Sequence, residues 1–550
     1  MHTSNGTRCD VAILGAGMAG TILGTILARH GVDVVILDAQ THPRFAVGES
    51  TIPHTSLLLS ILAEQYRVPE IEYLAYPDKL AANVCTSCGI KRSFGFAYQR
   101  PGTFYDHSEG IQFGTSSKDE NHLYRQDIDA WLLHLAVHYG ARSRMNERVK
   151  RLDIDESGAT IDIEGGAPLR ARYVVDGTGH RSYLADKYGL RSEPNPLLHH
   201  SRSLFTHMVD VDEFEQPKNP LSLPWEKTTL HHAFDGGWFW VIPFNNHELS
   251  RNPLVSVGLT IDSKRFPRPG HITPEEEFVE FLKQFPSVQG QFRNAKAVRP
   301  WVSTGRLQYA SNASTGYRFA LMSHAAGFID PLYSRGLINT TEIIAALLPP
   351  LLGAIGDGDF TPERFEGVDA MQKRLISYND RVVHWSFRSW RDFDLWNAWA
   401  RVWALGTIIT EFRLLEVLSD FTRTHDENVL HGAAGNPIFS DLEDPDYSAL
   451  FTRACAVMQE AEAGTVPPAE ASQRLFSMMG EFPFPVLLSL EGMRRAKWLK
   501  ADEEISEKNL QAARAGYRWA LANPKSRDLF GNTRTFYRWR ARQDDPHIPA

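Results

Sequence analysis

The chain has 550 residues, 43% hydrophobic and 23% charged, enough to bury a large core in two or three domains. Its 58 Lys and Arg against 66 Asp and Glu leave a net charge of −8, which argues against nucleic acid or an anionic membrane surface as a partner. Four cysteines cannot staple a chain of this length, so a reducing cytoplasm is expected. Residues 1–10 lack the apolar stretch of a signal peptide, and the longest apolar run, 343–355, is too short to span a bilayer.

Asp10-Val-Ala-Ile-Leu14 reads as a buried strand. Gly15-Ala-Gly17-Met18-Ala19-Gly20 follows, then a helix over 21–30 and a second strand ending at Asp38. This order predicts a dinucleotide-binding β-α-β unit. Gly15 permits the tight turn, Gly17 lets the backbone approach a pyrophosphate, and Gly20 lets helix and strand pack closely. The helix N-terminus offers N–H groups to phosphate, and Asp38 stands where a carboxylate accepts a ribose hydroxyl. The loop by itself fits FAD or NAD.

His42-Pro-Arg44-Phe-Ala-Val-Gly48-Glu49-Ser50 follows the second strand. Cys85-Thr-Ser-Cys88 lacks two further ligands for zinc and a thioredoxin-like context, so two small wall residues is the simpler reading. Gly89-Ile-Lys91-Arg-Ser-Phe94-Gly-Phe96 sets a lone lysine between apolar, glycine-containing flanks. Tyr124-Arg125-Gln-Asp127 opens a helix-like run, and Tyr173-Val-Val-Asp176-Gly177-Thr-Gly179 is another strand ending in a glycine turn. Residues 209–261 alternate strand-like runs with turns, which predicts an antiparallel sheet over the nucleotide with the substrate cavity beneath. Within it, Gly237-Trp238-Phe-Trp240-Val-Ile242-Pro243 puts both indoles on one face of a strand. Residues 274–285 form a helix with an acidic start. Gly327-Phe-Ile-Asp330-Pro331-Leu-Tyr333-Ser-Arg335-Gly336 precedes a helix expected to reach about Leu348, where Pro349-Pro350 should break or bend it. From 361 the pattern is helical. Trp396, Trp399 and Trp403 share one helix face, which reads as core packing of a cap rather than as a lid. Residues 468–479 and 502–523 look like amphipathic helices.

Taken together, Gly15–Gly20, Gly48-Glu49-Ser50, Trp238–Pro243 and Gly327–Gly336 resemble the flavin-dependent halogenases over residues 10–423. The resemblance is strongest to the free-standing branch that contains monodechloroaminopyrrolnitrin halogenase and chlortetracycline halogenase. It implies an α/β fold: a Rossmann-type FAD-binding domain of the flavoprotein monooxygenase kind over 1–360, with an antiparallel substrate sheet inserted at about 200–310, and a helical C-terminal cap over 361–550. It implies FAD contacts from Gly15, Gly17, Met18, Ala19, Gly20, Asp38, Arg44, Gly48, Glu49, Arg125, Asp330 and Leu337. Arg125 would approach the flavin and Asp330 the ribityl or ribose hydroxyls. One complete glycine fingerprint is evident, so FADH2 would arrive from a separate, diffusible NAD(P)H-dependent flavin reductase.

The same resemblance implies the chemistry. Reduced flavin and O2 give a C4a-hydroperoxide, chloride or bromide attacks it, and the hypohalous acid travels to Lys91. Lys91 would act by hydrogen bond as an ammonium, or by forming a haloamine as the neutral amine that desolvation favours. The backbone N–H groups of Arg335 and Gly336 would hold the halide in an anion nest. Trp238, Trp240 and Tyr333 would wall the site against water. Tyr333 stands where tryptophan halogenases carry Glu, which argues against free tryptophan and for a phenol, polyketide or pyrrole of natural-product biosynthesis. His107, His207, His231 and His232 are candidate bases by chemistry, none of them singled out. No metal is expected, and the assembly would be a monomer or homodimer. An FAD-dependent aromatic hydroxylase and a non-catalytic flavin-binding protein are the alternatives. Lys91 and Trp238–Pro243 argue against the hydroxylase.

Overall fold

A computed structural model describes residues 7–114, 119–218, 222–431, 441–483, 515 and 518–529. Most of the helix expected over 502–523 lies outside these residues.

Two sheets organise the chain. The strand Thr7–Leu14 carries Val11, Ala12 and Ile13 without exposure, so it must sit at a sheet centre. It pairs in parallel with Val34–Asp38 on one side and Leu169–Asp176 on the other. Arg142–Met145 and Phe319–Leu321 extend this parallel sheet at its two sides, and Gly158–Ile163 joins Leu169–Asp176 antiparallel. The helix Met18–Arg29 crosses between the first two strands, completing the expected β-α-β unit. The chain thus has a Rossmann-type α/β fold in this part.

The second sheet has nine strands among the described residues. Its centre, in order, is Ser201–Val209, Val255–Asp262, Gly237–Pro243, Thr228–Phe234, Ser93–Tyr98 and Gly110–Gly114. It is larger than the sheet expected over 209–261, because Ser93–Tyr98 pairs in parallel with the sequence-distant Thr228–Phe234. Strand alternation splits its side chains. Phe94, Phe96, Trp238, Trp240 and Ile242 face the FAD-type unit, whereas Leu230, Phe239, Val241, Val257 and Leu259 pack in a separate core with Phe278 and Val288.

The helix Arg335–Asp357 continues through Pro349 and Pro350, so the prolines do not break it near Leu348. Each proline removes a backbone donor. Burial of Leu347, Leu348, Leu351 and Ala354 on either side holds the turn that those donors would have held. From Leu332 this helical stretch is long and apolar enough to cross a bilayer, but two thirds of its most apolar window is inside the fold, and its apolar character belongs to the core.

The helices Glu366–Ser389, Phe393–Thr424, Pro445–Glu462 and Pro468–Gly480 form the C-terminal part. Trp396, Trp399 and Trp403 are buried, and they belong to the same hydrophobic cluster as Ile13 and Phe94. The aromatic face is therefore core. The chain end also contributes a strand, Asp528–Leu529, parallel to Gly110–Gly114. Arg401 ties it down from inside: the buried guanidinium donates to Asn397 Oδ1 at 2.9 Å, to Asn523 O at 2.8 Å, and to the carbonyls of Ala520 and Ser526. We expect Arg401→Met to cost about 2–3 kcal/mol, the scale of charged hydrogen bonds lost in a buried place. Faster hydrogen exchange should be confined to 518–529 and Gly110–Gly114. Denaturant titration and exchange mass spectrometry measure both.

Candidate active site

The glycine loop has the shape of a phosphate cradle. Gly15 has φ +98°, and a Cβ there would lie 2.7 Å from Gly177 O. A Cβ on Gly20 would lie 2.1 Å from Gly15 O, so helix and loop touch only because both are glycine. Above Gly17 the nearest atom to such a Cβ is an Arg44 nitrogen at 3.8 Å, which leaves room for a ligand's phosphates at the N-terminus of Met18–Arg29. Met18 and Ala19 form the first turn of that helix. Asp38 accepts from Ala16 N–H at 2.8 Å, Gln40 N–H at 2.9 Å and Arg44 at 3.2 Å, so it braces the loop as well as bordering it. These residues fit a dinucleotide.

The segment that follows is pinned from two sides. Gly48 has φ +93°, and Arg125 donates to Val47 O at 2.8 Å and Gly48 O at 3.2 Å while clamping Asp129 with its other nitrogens. Glu49 is buried against His207, 2.8 Å from its Nε2. Asp330 is also engaged internally. It accepts from Ser201 Oγ at 2.5 Å and from Leu332 N–H at 3.0 Å, and His199 lies at 3.3 Å.

Lys91 ends the short strand Gly89–Lys91, which pairs with Glu120–His122. A Cβ at Gly89 would lie 2.5 Å from Pro243 O, so glycine lets this strand reach the end of the tryptophan strand. Asn246 then bonds both the N–H and the C=O of Ile90, at 2.8 and 2.7 Å. The Lys91 side chain is completely buried. Its Nζ donates to Ser50 Oγ at 2.8 Å and lies 3.3 Å from the Phe94 ring centroid. Burial draws the ammonium well below the ordinary lysine range, against a smaller opposing pull from Glu120. Glu120 itself accepts from Thr51 and Ser56 at 2.8 and 2.5 Å.

Aromatic rings close the space around Lys91. Phe96 stacks on His231 at 4.4 Å, and His231 lies 5.1 Å from Trp238, which is 5.6 Å from Trp240. A Cβ at Gly258 would sit 2.1 Å from the Trp240 ring, so this glycine is what seats the indole. Trp403 of the C-terminal helix meets Phe94 edge-on at 5.2 Å and stacks on Tyr333 at 4.1 Å. The Tyr333 hydroxyl bonds Ser386 Oγ at 2.8 Å, and burial pushes its ionisation far above the usual phenol range. Tyr333 and Ser334 both take left-handed backbone conformations, φ +67° and +56°, and then Arg335–Asp357 begins. The N–H groups of Gly336 and Leu337 stand in its first turn, where a helix has no carbonyl one turn earlier to offer them. The Arg335 side chain turns away to Asn379 Oδ1 at 2.8 Å, leaving the anion-binding potential to the backbone.

The four candidate histidines separate. His231 and His207 lie on the Lys91 side of the large sheet; His232 points to the other core, 2.8 Å from Gln291, and His107 pairs with Glu215 at 3.2 Å. His122 was not among the candidates. It is buried opposite Gly89, with Nδ1 2.9 Å from Pro243 O and Nε2 3.0 Å from Thr229 Oγ1. A three-residue polar strand, Glu120–His122, offers no periodicity by which sequence could mark it as interior. The Cys85 and Cys88 sulfurs lie 3.6 Å apart, and the Cys88 thiol hydrogen bond lowers Cys85 to about 7. Among the described residues, no three His, Cys, Asp or Glu side chains gather to hold a metal ion.

A family described as FAD binding domain matches residues 8–276. Tetracycline 7-halogenase of Kitasatospora aureofaciens is 44% identical, over 86% of this chain and 87% of its own length. Monodechloroaminopyrrolnitrin halogenase PrnC of Pseudomonas fluorescens is 42% identical, over 88% and 86%. The crystal structure of halogenase PltM in complex with phloroglucinol and FAD matches with a TM-score of 0.83 at 35% identity, covering 89% of this chain and 98% of that one.

Two outcomes follow from the geometry. Gly15→Ala should weaken FAD binding by about tenfold or more, since it adds left-handed strain of about 1–2 kcal/mol to a backbone clash; flavin fluorescence titration reads it. Alkylation of Cys85 by iodoacetamide should rise as pH passes upward through about 7, where its thiolate forms, and Cys9, pushed up to about 12 by burial, should stay inert; peptide mass spectrometry distinguishes the two.

Proposed function

The chain belongs to the flavin-dependent halogenases, and from that premise we propose that it transfers oxidised chloride or bromide to an electron-rich aromatic through Lys91. The observation that carries this is a fully buried lysine, bonded to the segment just after Gly48 and enclosed by aromatic rings. FAD would be held by Gly15, Gly17, Met18, Ala19, Gly20, Asp38, Arg44, Gly48, Glu49, Arg125 and Leu337. Asp330 would order the turn beside it. Bound as FADH2, delivered in the cytoplasm by a separate NAD(P)H-dependent reductase, it would supply the oxidising power of O2 for making hypohalous acid from halide.

The protein's own groups then act in sequence. The N–H groups of Arg335 and Gly336 hold the halide at the start of Arg335–Asp357. The aromatic enclosure of Trp238, Trp240, Phe96, Tyr333 and Trp403 keeps water from the oxidant. In its amine form, which burial favours, Lys91 takes the halogen: an N–halogen bond forms and water leaves. The N–halogen bond then breaks as the halogen passes to a ring carbon of the substrate, and the ring proton that leaves restores the amine. Tyr333 cannot supply the carboxylate that an unactivated indole needs, which favours a phenol or pyrrole whose own hydroxyl or N–H donates electrons. The phloroglucinol bound to PltM is a ligand of that kind.

Incubation with FAD, a flavin reductase, NADH, chloride and phloroglucinol, read by mass spectrometry, tests the proposal. Native protein should give a chlorinated phenol. Lys91→Met should oxidise reduced flavin at the native rate and lose product by about a hundredfold or more. A hydroxylated product without halogen would place the protein with the aromatic hydroxylases, and undiminished chlorination by Lys91→Met would remove the lysine from the mechanism.

A further inference from the structure

Lys91 is one end of a buried chain of four polar groups. Lys91 Nζ lies 2.8 Å from Ser50 Oγ, Ser50 Oγ 2.8 Å from Thr229 Oγ1, and Thr229 Oγ1 3.0 Å from His122 Nε2. At the far end His122 Nδ1 lies 2.9 Å from Pro243 O. All four side chains are buried to within a few per cent.

The hydrogen positions are dictated by chemistry. A carbonyl only accepts, so His122 Nδ1 carries a hydrogen and donates it to Pro243 O. In the neutral ring Nε2 is then an acceptor, and Thr229 must donate to it. With its hydrogen committed, Thr229 accepts from Ser50, and Ser50 accepts from Lys91. Every bond is satisfied when the proton sits on Lys91. Reversing each bond gives the other complete arrangement: His122 Nε2–H to Thr229, Thr229 to Ser50, Ser50 to the Lys91 lone pair. The two differ only in which N–H and O–H bonds are made.

We propose that Ser50 and Thr229 form a proton relay that moves one proton between Lys91 and His122. This rests on the role given to Lys91 above. In the step, Lys91 Nζ–H breaks as Ser50 Oγ–H forms, the Ser50 proton passes to Thr229, and the Thr229 proton to His122 Nε2. An ammonium and a neutral imidazole become an amine and an imidazolium, and no oxidant or metal takes part. The relay supplies the free amine that halogen capture needs, without water reaching the chamber. Burial sets the balance: it draws both groups down, His122 to about 3 with the Lys91 charge as the second cause. The charges facing this chain are few. Glu120 lies opposite Lys91 across the strand pair; His231, on the strand that carries Thr229, is held down to about 3 by burial; and Glu49, beside Ser50, is paired with His207.

Thr229→Val removes the hydroxyl at nearly constant shape, and Thr229→Ser keeps it. In flavin-free protein, NMR of labelled lysine and histidine should show Lys91 and His122 titrating with shared midpoints in the native chain and in Thr229→Ser, and separately in Thr229→Val. In the phloroglucinol assay, Thr229→Val should chlorinate about tenfold to a hundredfold more slowly, with unchanged FAD affinity and flavin oxidation, and Thr229→Ser should recover. Native chlorination should show a curved dependence on solvent deuterium content and Thr229→Val a linear one. Independent titration of the two residues in the native chain, or native chlorination by Thr229→Val, overturns the relay. If Lys91→Met still chlorinates, it is the role of Lys91 that falls, whatever the titrations show.

Discussion

An amine held away from water is the constraint on which the site depends. A lysine ammonium taken fully out of solvent loses its hydration, and a carboxylate partner would restore the charge by pairing with it. Here the nearest acceptor is a neutral hydroxyl, Ser50, and the neighbouring surface is the face of Phe94. That combination favours the uncharged nitrogen, whose lone pair can take an electrophile. The strand that carries Lys91 is short, and it holds its place through side-chain bonds from Asn246 and a close backbone approach at Gly89.

The aromatic rings around Lys91 come from distant parts of the chain. Trp238 and Trp240 supply one wall because strand alternation puts both indoles on one face and Gly258 makes room for the second. Trp403 supplies another from a helix more than a hundred residues downstream, and Arg401, two residues before it, fastens the chain end to the sheet edge beside Phe113. One hydrophobic cluster runs from the parallel sheet through the chamber into the C-terminal helices, so disturbance of the cap reaches the amine.

Sequence and structure agree where local pattern controls conformation. The glycine loop, its flanking strands and its helix follow from spacing alone, and so does the shared face of the two indoles. They part where one segment answers to another. Pro349 and Pro350 should end a helix by local rules, yet burial of the leucines around them carries it on to Asp357. The strand Ser93–Tyr98 lies more than a hundred residues before Thr228–Phe234, and no local pattern links them, yet they pair in parallel. Lys91 could be singled out by its apolar flanks and by family resemblance, but its depth could not.

The sequence by itself determined a glycine loop of the dinucleotide-cradle kind at Gly15–Gly20, two tryptophans on one strand face, and a lysine set among apolar, glycine-containing neighbours. Those features are set by spacing of a few residues, over which backbone geometry is nearly fixed. Only the tertiary structure decided that Ser50, Thr229 and His122 line up behind Lys91. These residues lie on four separate segments, and each looks like an ordinary polar residue in its own. What turns them into one hydrogen-bonded chain is the packing of the short Glu120–His122 strand beneath the end of Gly237–Pro243, which brings each polar atom within reach of the next.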